Sequence, residues 1–517
     1  MHRPRAWAAA APDIGVFAAF LALYVRTLAP TVVGLDSAEL AAGAHTLGIV
    51  HPAGAPVYLL VAKAVMMALP VGDVAYRANL LSALCAAGTV ALARRAMGRL
   101  GASAPAALGA AAMLGVSPLL WSSAVAAEIY SLQALLVAGA VLALLRLRET
   151  GAPRDLAVGA LLVGLAVGAH MTTVLVLPGL GALVVHAWRA RPLGARAGGG
   201  ALLPALVGPL SYAYLPLRQA ARPTVDYATT LGIDLATVSG MAWMLGGRMF
   251  AEFVGDYGGG ELAGELLHVA AVLARAVLGV GVAAAAVGAV ALAKRAPLQA
   301  AGLLLAGLLP ALFVAAYRVP DKDEMLLVPV LVLALLAASG LEVVRHAAAR
   351  AGPTAGRAVD LGAAAFLLVL LAATWPLADR SAEWSARERG ERILARVGPH
   401  ALVAGTWIDI TPLLYLQAVE GRRPDVELLD WGLATLGRRA ELRGQGVDRV
   451  AARRRALEEM QVRVAAELLT GRPVYSLDDG PLLGSPFALW RRGDVFLVCE
   501  RGQPETACYD PAAIVGG

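Results

Sequence analysis

Long stretches of apolar residues constrain this chain more than any other feature of its sequence. About eleven of them are long enough to cross roughly 30 Å of hydrocarbon as helices: 12–29, 74–96, 104–120, 127–147, 155–170, 172–189, 201–217, 264–293, 297–317, 325–345 and 358–377. Only 16% of the residues are charged and 58% are hydrophobic, whereas soluble proteins carry about 25% charged residues. The sequence therefore predicts an α-helical polytopic membrane protein with about 11 transmembrane helices.

The arginines predict how these helices are oriented. The formal net charge is +6, but the basic residues do not gather on one soluble domain, which argues against a nucleic-acid partner. They lie between the apolar runs, as in the cytoplasmic loops of membrane proteins. Arg3 and Arg5 place the N-terminus inside. The later basic turns are 146–154, 188–197, 293–297 and 344–357.

These turns all face the cytoplasm only if the shorter apolar run 54–70 does not cross the membrane. We therefore predict that 54–70 is an interfacial or re-entrant helix. It belongs to a first outer loop, residues 30–73, of a membrane domain that covers 1–379. With this choice the C-terminus lies outside.

The first outer loop carries the most suggestive group of ionisable residues. Asp36 and Glu39 are three residues apart, so that on a helix they share one face, which Gly43 continues and leaves open for a substrate. The pair suits a base, or a ligand for a metal or an acceptor. Equally, the same spacing is a capping box that only starts a helix. His51 either binds a phosphate or is a surface loop residue.

Other outer helix ends also carry ionisable residues, which are costly near the membrane and rarely kept without a function. Glu128 and Tyr130 open one span, and His170 lies in a tight outer turn. Arg218 and Lys322 would suit a lipid-linked phosphate. The alternatives are the helix dipole for Glu128 and snorkelling to headgroups for the two cations. Together these ends predict one extracytoplasmic site.

The pattern changes near residue 380. In 380–517, strand-like runs at 401–405, 425–430 and 473–477 alternate with amphipathic helices at 411–421 and 453–471. This predicts a small, membrane-distal α/β domain outside the membrane that helps to hold an acceptor. It has no phosphate loop or nucleophile elbow, so it nominates no catalytic centre. Cys499 and Cys508 can form a disulfide if this end faces an oxidising compartment, but the sequence does not decide whether they pair.

The chain resembles a known family, the bacterial multi-spanning proteins of domain of unknown function 2723. These are relatives of eukaryotic transmembrane protein 260, a protein O-mannosyltransferase of the GT-C class. The resemblance covers most of 15–345 and extends to the tail near 405–430. It is carried by LYVRTLAPTVVGLDSAELAAGAHTLGIVHPAGAPVYLLVAK, YRANLLSAL, AAEIYSLQALL, GAHMTT, YAYLPLR, YRVPDKDEMLLVPV and YLQAVEGRRPDVELLD.

This resemblance implies a GT-C-like fold and catalysis on the outer face. The enzyme would move a sugar, for example mannose, from a polyprenyl phosphate to an extracytoplasmic hydroxyl of a protein, glycan or lipid. Asp36 is the expected base, with Glu39 in support. Arg218 and Lys322 would hold the donor phosphate. His51 and His170 would line the cavity, with Glu128 and Tyr130 nearby.

The expected location is the bacterial inner membrane. A divalent metal is compatible with the acids, and no other cofactor is implied. The main alternative is a transporter or lipid flippase that performs no glycosyl transfer. A second alternative is an assembly or sensor protein whose outer domain binds a partner.

Overall fold

The computed structural model describes residues 6–502 except 256, 320, 480, 481, 483, 484 and 486. Arg3 and Arg5, on which the orientation of the N-terminus rests, and Cys508, on which the disulfide rests, lie outside the described residues. The membrane half consists of helices. They are α1 (Ala6–Arg26), α2 (Asp36–Thr46), α3 (Pro56–Ala68), α4 (Val74–Arg99), α5 (Ala104–Gly115), α6 (Pro118–Ala124), α7 (Ile129–Thr150), α8 (Pro153–Ala169), α9 (Leu177–Ala190), α10 (Ala195–Leu202), α11 (Val207–Ser211), α12 (Tyr214–Ala220), α13 (Tyr227–Thr230), α14 (Val238–Leu245), α15 (Gly259–Ala276), α16 (Val280–Arg295), α17 (Pro297–Ala315), α18 (Leu327–Ala351) and α19 (Pro353–Ala378).

Short 3₁₀ turns connect or extend these helices at Met171–Val176, Leu203–Leu206, Arg248–Phe253 and Lys322–Leu326. Within the described chain, seven helical segments are long and apolar enough to cross a membrane, or nine if each of two bent helix pairs is one span. The prediction was about eleven. The apolar helices α1 and α8 make up the difference, and α8 has only 17 residues. The helical polytopic architecture is confirmed.

The predicted span at 264–293 is bent. The structure divides it into α15 and α16, which meet at an angle of 96°. Leu278 and Gly279 both have positive φ at the break, a conformation that cannot continue a right-handed helix. Hydropathy alone did not indicate this bend, because the residues on both sides are equally apolar.

The run 54–70 forms the short helix α3, which starts at Pro56 in the favoured first position. Its 13 residues extend only about 20 Å, less than the hydrocarbon thickness. Tyr58 and Leu59 are fully buried, whereas Met67 is 75% exposed. Its placement at the membrane surface stays a prediction that its length supports.

The C-terminal region forms the predicted small α/β domain. Its five strands are β1 (Leu402–Gly405), β2 (Glu427–Asp430), β3 (Val474–Ser476), β4 (Phe487–Arg492) and β5 (Val495–Glu500), and its helices are α20 (Ser385–Arg396), α21 (Trp407–Glu420), α22 (Trp431–Gly444) and α23 (Arg449–Leu469). The sheet order is β2-β1-β3-β5-β4. The first three strands are parallel, and β5 is antiparallel to its two neighbours. Cys499 is buried in β5, and its pairing with Cys508 stays a prediction.

This domain packs directly on the first outer loop. The Thr411 hydroxyl donates to the Leu35 carbonyl at 3.1 Å, and the Ala75 amide donates to the Tyr415 hydroxyl at 3.1 Å. Arg387 bridges Glu420 at 2.7 Å and Asp73 at 3.5 Å. The two halves are therefore joined where α2 begins, and the α/β domain is less remote from the loop than predicted.

Candidate active site

The residue before α2 has an unusual backbone conformation. Leu35 has φ 63° and ψ −145°, which is strained for a residue with a side chain and is often found at functional sites. Asp36 is consequently the first residue of the helix rather than its cap, and no side chain caps this end. The capping-box alternative is therefore wrong. Gly43 does not leave space for a substrate, since a Cβ there would lie 2.5 Å from Val50.

The Glu39 carboxylate is enclosed in a network of hydrogen bonds. It accepts from the His51 amide at 2.6 Å and from the Trp407 indole nitrogen at 2.7 Å. His51 Nδ1 lies 3.0 Å from the second carboxylate oxygen. The His51 ring stands edge-on to Trp407 and Phe250, at 6.0 and 6.2 Å between centroids. Glu39 is fully buried, so this network holds it in one position.

The charges of Glu39 and His51 stabilise each other. Burial alone would raise the pKa of Glu39, but the positive His51 and the donated hydrogen bonds outweigh it and lower that pKa. Burial alone would lower the pKa of His51, but the adjacent Glu39 and Asp36 raise it to about 10. At neutral pH this pair is therefore a carboxylate and an imidazolium.

Asp36 lies beside this pair in a different state. Burial raises its pKa to about 8, opposed by the His51 charge and assisted by the negative Asp321, Glu39 and Glu324. Within the described chain its carboxylate makes no hydrogen bond, and the residue is 8% exposed. A carboxyl whose pKa lies near neutral pH, and which is not committed to a partner, is well suited to accept a proton.

Glu128, Tyr130 and His170 lie at the same end of the molecule. The Tyr130 and His170 rings are 5.0 Å apart, and burial together with the His51 charge lowers the pKa of His170 to about 4. Glu128 is 7% exposed, and one of its carboxylate oxygens is buried without a partner in the described chain. Its pKa is well above the ordinary range because of burial and the nearby Glu324 and Asp36.

The two residues predicted to bind phosphate, Arg218 and Lys322, already contact other groups of the protein. Arg218 donates to the carbonyls of Leu47 and Thr46, at 2.6 and 3.3 Å, and so closes the C-terminal end of α2. Lys322 is buried and forms an ion pair with Glu265 of α15 at 2.5 Å. Both cations are therefore held in place by the fold, and their roles toward a phosphate stay predictions.

The structure adds residues that the sequence analysis did not nominate. Trp407 and Asp430 come from the α/β domain, and burial together with the Glu39 charge raises the pKa of Asp430 to about 7. Arg380 follows the last apolar helix and is close enough to Glu128 to oppose the rise of its pKa. In the described structure the Arg380 side chain has no hydrogen bond or ion pair. The predicted topology already placed Arg380 at an outer helix end, but nothing in the sequence linked Trp407 to Glu39.

Asp36, Glu39 and His51 also have the composition of a metal site. One ligand atom from each lies within 4.8 Å of the others, and the described residues contain no other group of this kind. Both Glu39 oxygens already accept hydrogen bonds. A divalent cation is thus compatible with the residue types, but its binding would have to displace the His51 imidazolium.

Comparison with known proteins finds similar sequences and structures. Residues 36–192 match the family model of the protein O-mannosyl-transferase TMEM260 N-terminal domain. Mouse protein O-mannosyl-transferase TMEM260 is 37% identical over 168 residues, which are 32% of this chain and 24% of the mouse protein. The chain therefore spans about a quarter of the length of this curated relative.

Two crystal structures of ArnT from Cupriavidus metallidurans share the fold. The apo form has a TM-score of 0.57 at 13% identity and covers 95% of this chain and 98% of ArnT. The form bound to undecaprenyl phosphate has a TM-score of 0.54 at 14% identity, with 96% and 98% covered. The chain is therefore a polytopic membrane protein of the GT-C fold whose residues 36–192 match the TMEM260 N-terminal domain.

Proposed function

We propose that this protein is a membrane glycosyltransferase that uses a polyprenyl-phosphate sugar. The sugar, which we expect to be mannose, is transferred to an extracytoplasmic hydroxyl of a protein. The name of the mouse relative supports the reaction and the protein acceptor, and undecaprenyl phosphate in ArnT supports the lipid donor. The proposed location is the bacterial inner membrane, with the N-terminus inside and the α/β domain outside.

The observation that carries this proposal is the contrast between the two acids of α2. Glu39 is ionised and fixed by His51 and Trp407, whereas Asp36 has an elevated pKa and no hydrogen-bond partner in the described chain. The fixed pair positions and tunes its neighbour, and Asp36 remains available to a substrate. Two acids with separate environments are typical of sites that perform acid–base chemistry.

The proposed reaction assigns a role to each group. The acceptor oxygen forms a bond to the anomeric carbon of the sugar while the bond from that carbon to the donor phosphate oxygen breaks. The proton of the acceptor hydroxyl passes to the Asp36 carboxylate, and the bonding electrons leave with the polyprenyl phosphate. Arg380 is the cation that we assign to stabilise this leaving group, because it lies near Glu128 and Glu324 and its side chain makes no hydrogen bond or ion pair in the described chain.

Reconstitution in lipid vesicles tests the proposal. Wild type and Asp36→Asn are given a labelled polyprenyl-phosphate mannose and a Ser/Thr-rich acceptor peptide. Loss of the base predicts a rate at least about 100-fold lower. Asp494→Asn, which changes an exposed acid paired with Arg392, is the control and keeps the wild-type rate.

The same experiment separates the alternatives. If neither protein consumes the donor, glycosyl transfer is wrong and transport becomes the better hypothesis. If both consume it at the same rate, Asp36 is not the base.

A further inference from the structure

A cavity lies at the opposite end of the helix bundle from the acid cluster. It encloses about 360 Å³ between the ends of α16 and α18, and Gly101 contributes to its wall. Its residues on α18 extend from Ser339 to Arg350, whereas α18 begins at Leu327 beside the acid cluster. At 1.5 Å per residue, Arg350 lies about 35 Å along the helix from Leu327. This distance exceeds the thickness of a bilayer's hydrocarbon core, about 30 Å, so the cavity reaches the level of the other leaflet's headgroups at Arg350 and extends inward from there to Ser339.

The cavity has uncompensated positive charge. In the described part of the chain neither Arg295 nor Arg350 forms an ion pair, and Arg295 donates only to the carbonyl of Leu100. The acid in the cavity wall, Glu342, already has hydrogen-bond and charge partners. It accepts from the Ser103 amide at 2.8 Å and lies 2.8 Å from His346 Nδ1. The two guanidinium groups therefore remain available to an anion.

A buried hydroxyl provides a second, independent indication of a ligand. Ser339 lines the cavity and is 3% exposed, yet its hydroxyl has no hydrogen-bond partner among the described residues. An unpaired buried hydroxyl costs about 1–3 kcal/mol. An anion that accepts a hydrogen bond from Ser339 would remove this cost.

Close helix contacts fix the shape of the cavity. A Cβ on Gly288 would lie 1.9 Å from the Leu336 carbonyl oxygen, and one on Gly340 would lie 1.8 Å from that of Ala284. The backbones of α16 and α18 thus touch just above the cavity. Gly101 has φ +89°, and a Cβ there would lie 3.3 Å from the Arg295 guanidinium. The absence of a side chain at Gly101 therefore leaves room for Arg295.

We propose that this cavity binds the phosphate of an anionic phospholipid headgroup from the cytoplasmic leaflet. The guanidinium groups of the two arginines and the Ser339 hydroxyl are suitable hydrogen-bond donors to phosphate oxygens. Basic pockets between transmembrane helices on the cytoplasmic side are typical sites for such headgroups. Beside the cavity, Val343 of α18 and Val290 of α16 are 41% and 57% exposed. They give the acyl chains an apolar surface that a free phosphate ion would leave unused.

This site is tested by lipid binding and does not depend on the proposed transfer reaction. Purified full-length protein in a neutral detergent is titrated with phosphatidylglycerol, phosphatidylcholine or inorganic phosphate. Binding is followed by native mass spectrometry and by the midpoint of thermal unfolding. The variants are Arg295→Ala with Arg350→Ala, and Lys294→Ala as the matched control, since Lys294 ends the same helix without lining the cavity.

We expect phosphatidylglycerol to bind and stabilise wild type and Lys294→Ala alike. The double variant should bind it roughly 25-fold more weakly, because each arginine near a lipid headgroup contributes on the order of fivefold. If the double variant does not fold, Arg350→Ala alone serves, since its exposed side chain has no partner in the described structure, and a loss of about fivefold is expected. Equal binding by wild type and these variants overturns the proposal. Equal stabilisation by phosphatidylcholine or by inorganic phosphate overturns the assignment to an anionic lipid.

Discussion

The acid cluster at α2 and the surface of the α/β domain both contain many charged side chains, but in different environments. On the α/β domain, Arg438 pairs with Glu459 and Glu441 where all three side chains are at least one-third exposed. In the cluster, Asp36 and Glu39 are buried. Exposed ion pairs contribute about 0–1 kcal/mol to the free energy of folding. Burying a charge costs several kcal/mol of that free energy, which well-placed hydrogen-bond and charge partners must offset.

This difference separates exposed charges, which contribute little to stability, from the buried charges to which we assign the chemistry. An exposed pair such as that of Arg438 can be lost with little effect. A buried pair such as Glu39 with His51 couples stability to the protonation of its neighbours, including Asp36. The predictions below remove one element of this contrast at a time.

Removal of His51 should have the largest effect on stability. His51→Ala leaves the buried Glu39 carboxylate without its imidazolium, and breaking a buried pair in this way costs about 3–5 kcal/mol. We expect a clear fall in the midpoint of thermal unfolding in detergent. Arg438→Ala, which breaks an exposed pair, should cost under about 1 kcal/mol. Equal losses in the two variants would contradict the contrast between the regions.

Removal of Arg380 should have the next largest effect, and it acts on the rate. If Arg380 stabilises the leaving phosphate, Arg380→Ala lowers kcat by about 100-fold, as expected for the loss of one preorganised donor. The measurement is the initial rate of sugar transfer at saturating donor. Arg422→Ala is the control, because Arg422 is exposed and pairs with Glu391 at 3.1 Å. A kcat for Arg380→Ala that equals the control's would exclude this role.

The pH dependence should separate catalysis from stability. Asp36 must be deprotonated to accept a proton, and its pKa is about 8. The rate should therefore rise by roughly tenfold per pH unit up to about pH 8 and then level off. The profile of kcat/KM measures this, and a rate that is flat between pH 6 and 8 would show that Asp36 does not control the reaction.

Stability should change in the opposite direction over the same range. Folding raises the pKa of Asp36 to about 8 and that of His51 to about 10, so the folded protein binds these protons more tightly than the unfolded chain. The stabilisation from His51 is complete below its unfolded pKa of about 6.5 and is lost as the pH rises toward 10. Unfolding midpoints should therefore fall between pH 6 and 10, whereas the rate rises only up to about pH 8.

Most of the fold was predictable because hydrophobic runs and strand alternation are local properties. The apolar runs lie in helices, and the predicted strands at 401–405, 425–430 and 473–477 match β1, β2 and β3 within two residues. The bend at Leu278–Gly279 was not predictable, because it depends on two backbone conformations within one apolar run.

The two predicted phosphate ligands, Arg218 and Lys322, illustrate a related difficulty. Residue type and topology indicate which cations are near a site, but not which of them the fold has already paired.

The site was predictable only in its first half. Asp36 and Glu39 are three residues apart, so their spacing indicated a common face, and His51 follows in the same loop. Trp407 is 368 residues from Glu39 and reaches it because α21 packs on α2. Only the tertiary structure shows that the α/β domain completes the outer loop.

Removal of the Trp407 hydrogen bond should have the smallest effect, and it tests whether that contact matters. Trp407→Phe keeps an aromatic ring beside His51 but removes the indole N–H that donates to Glu39. A hydrogen bond to a charged group contributes about 1.5–3 kcal/mol, so kcat/KM should fall by roughly tenfold if the contact positions Glu39 for the reaction. Trp490→Phe is the matched control, since Trp490 lies 40% exposed on β4. If the two variants lose the same activity, the α/β domain holds the outer loop but does not tune the acids within it.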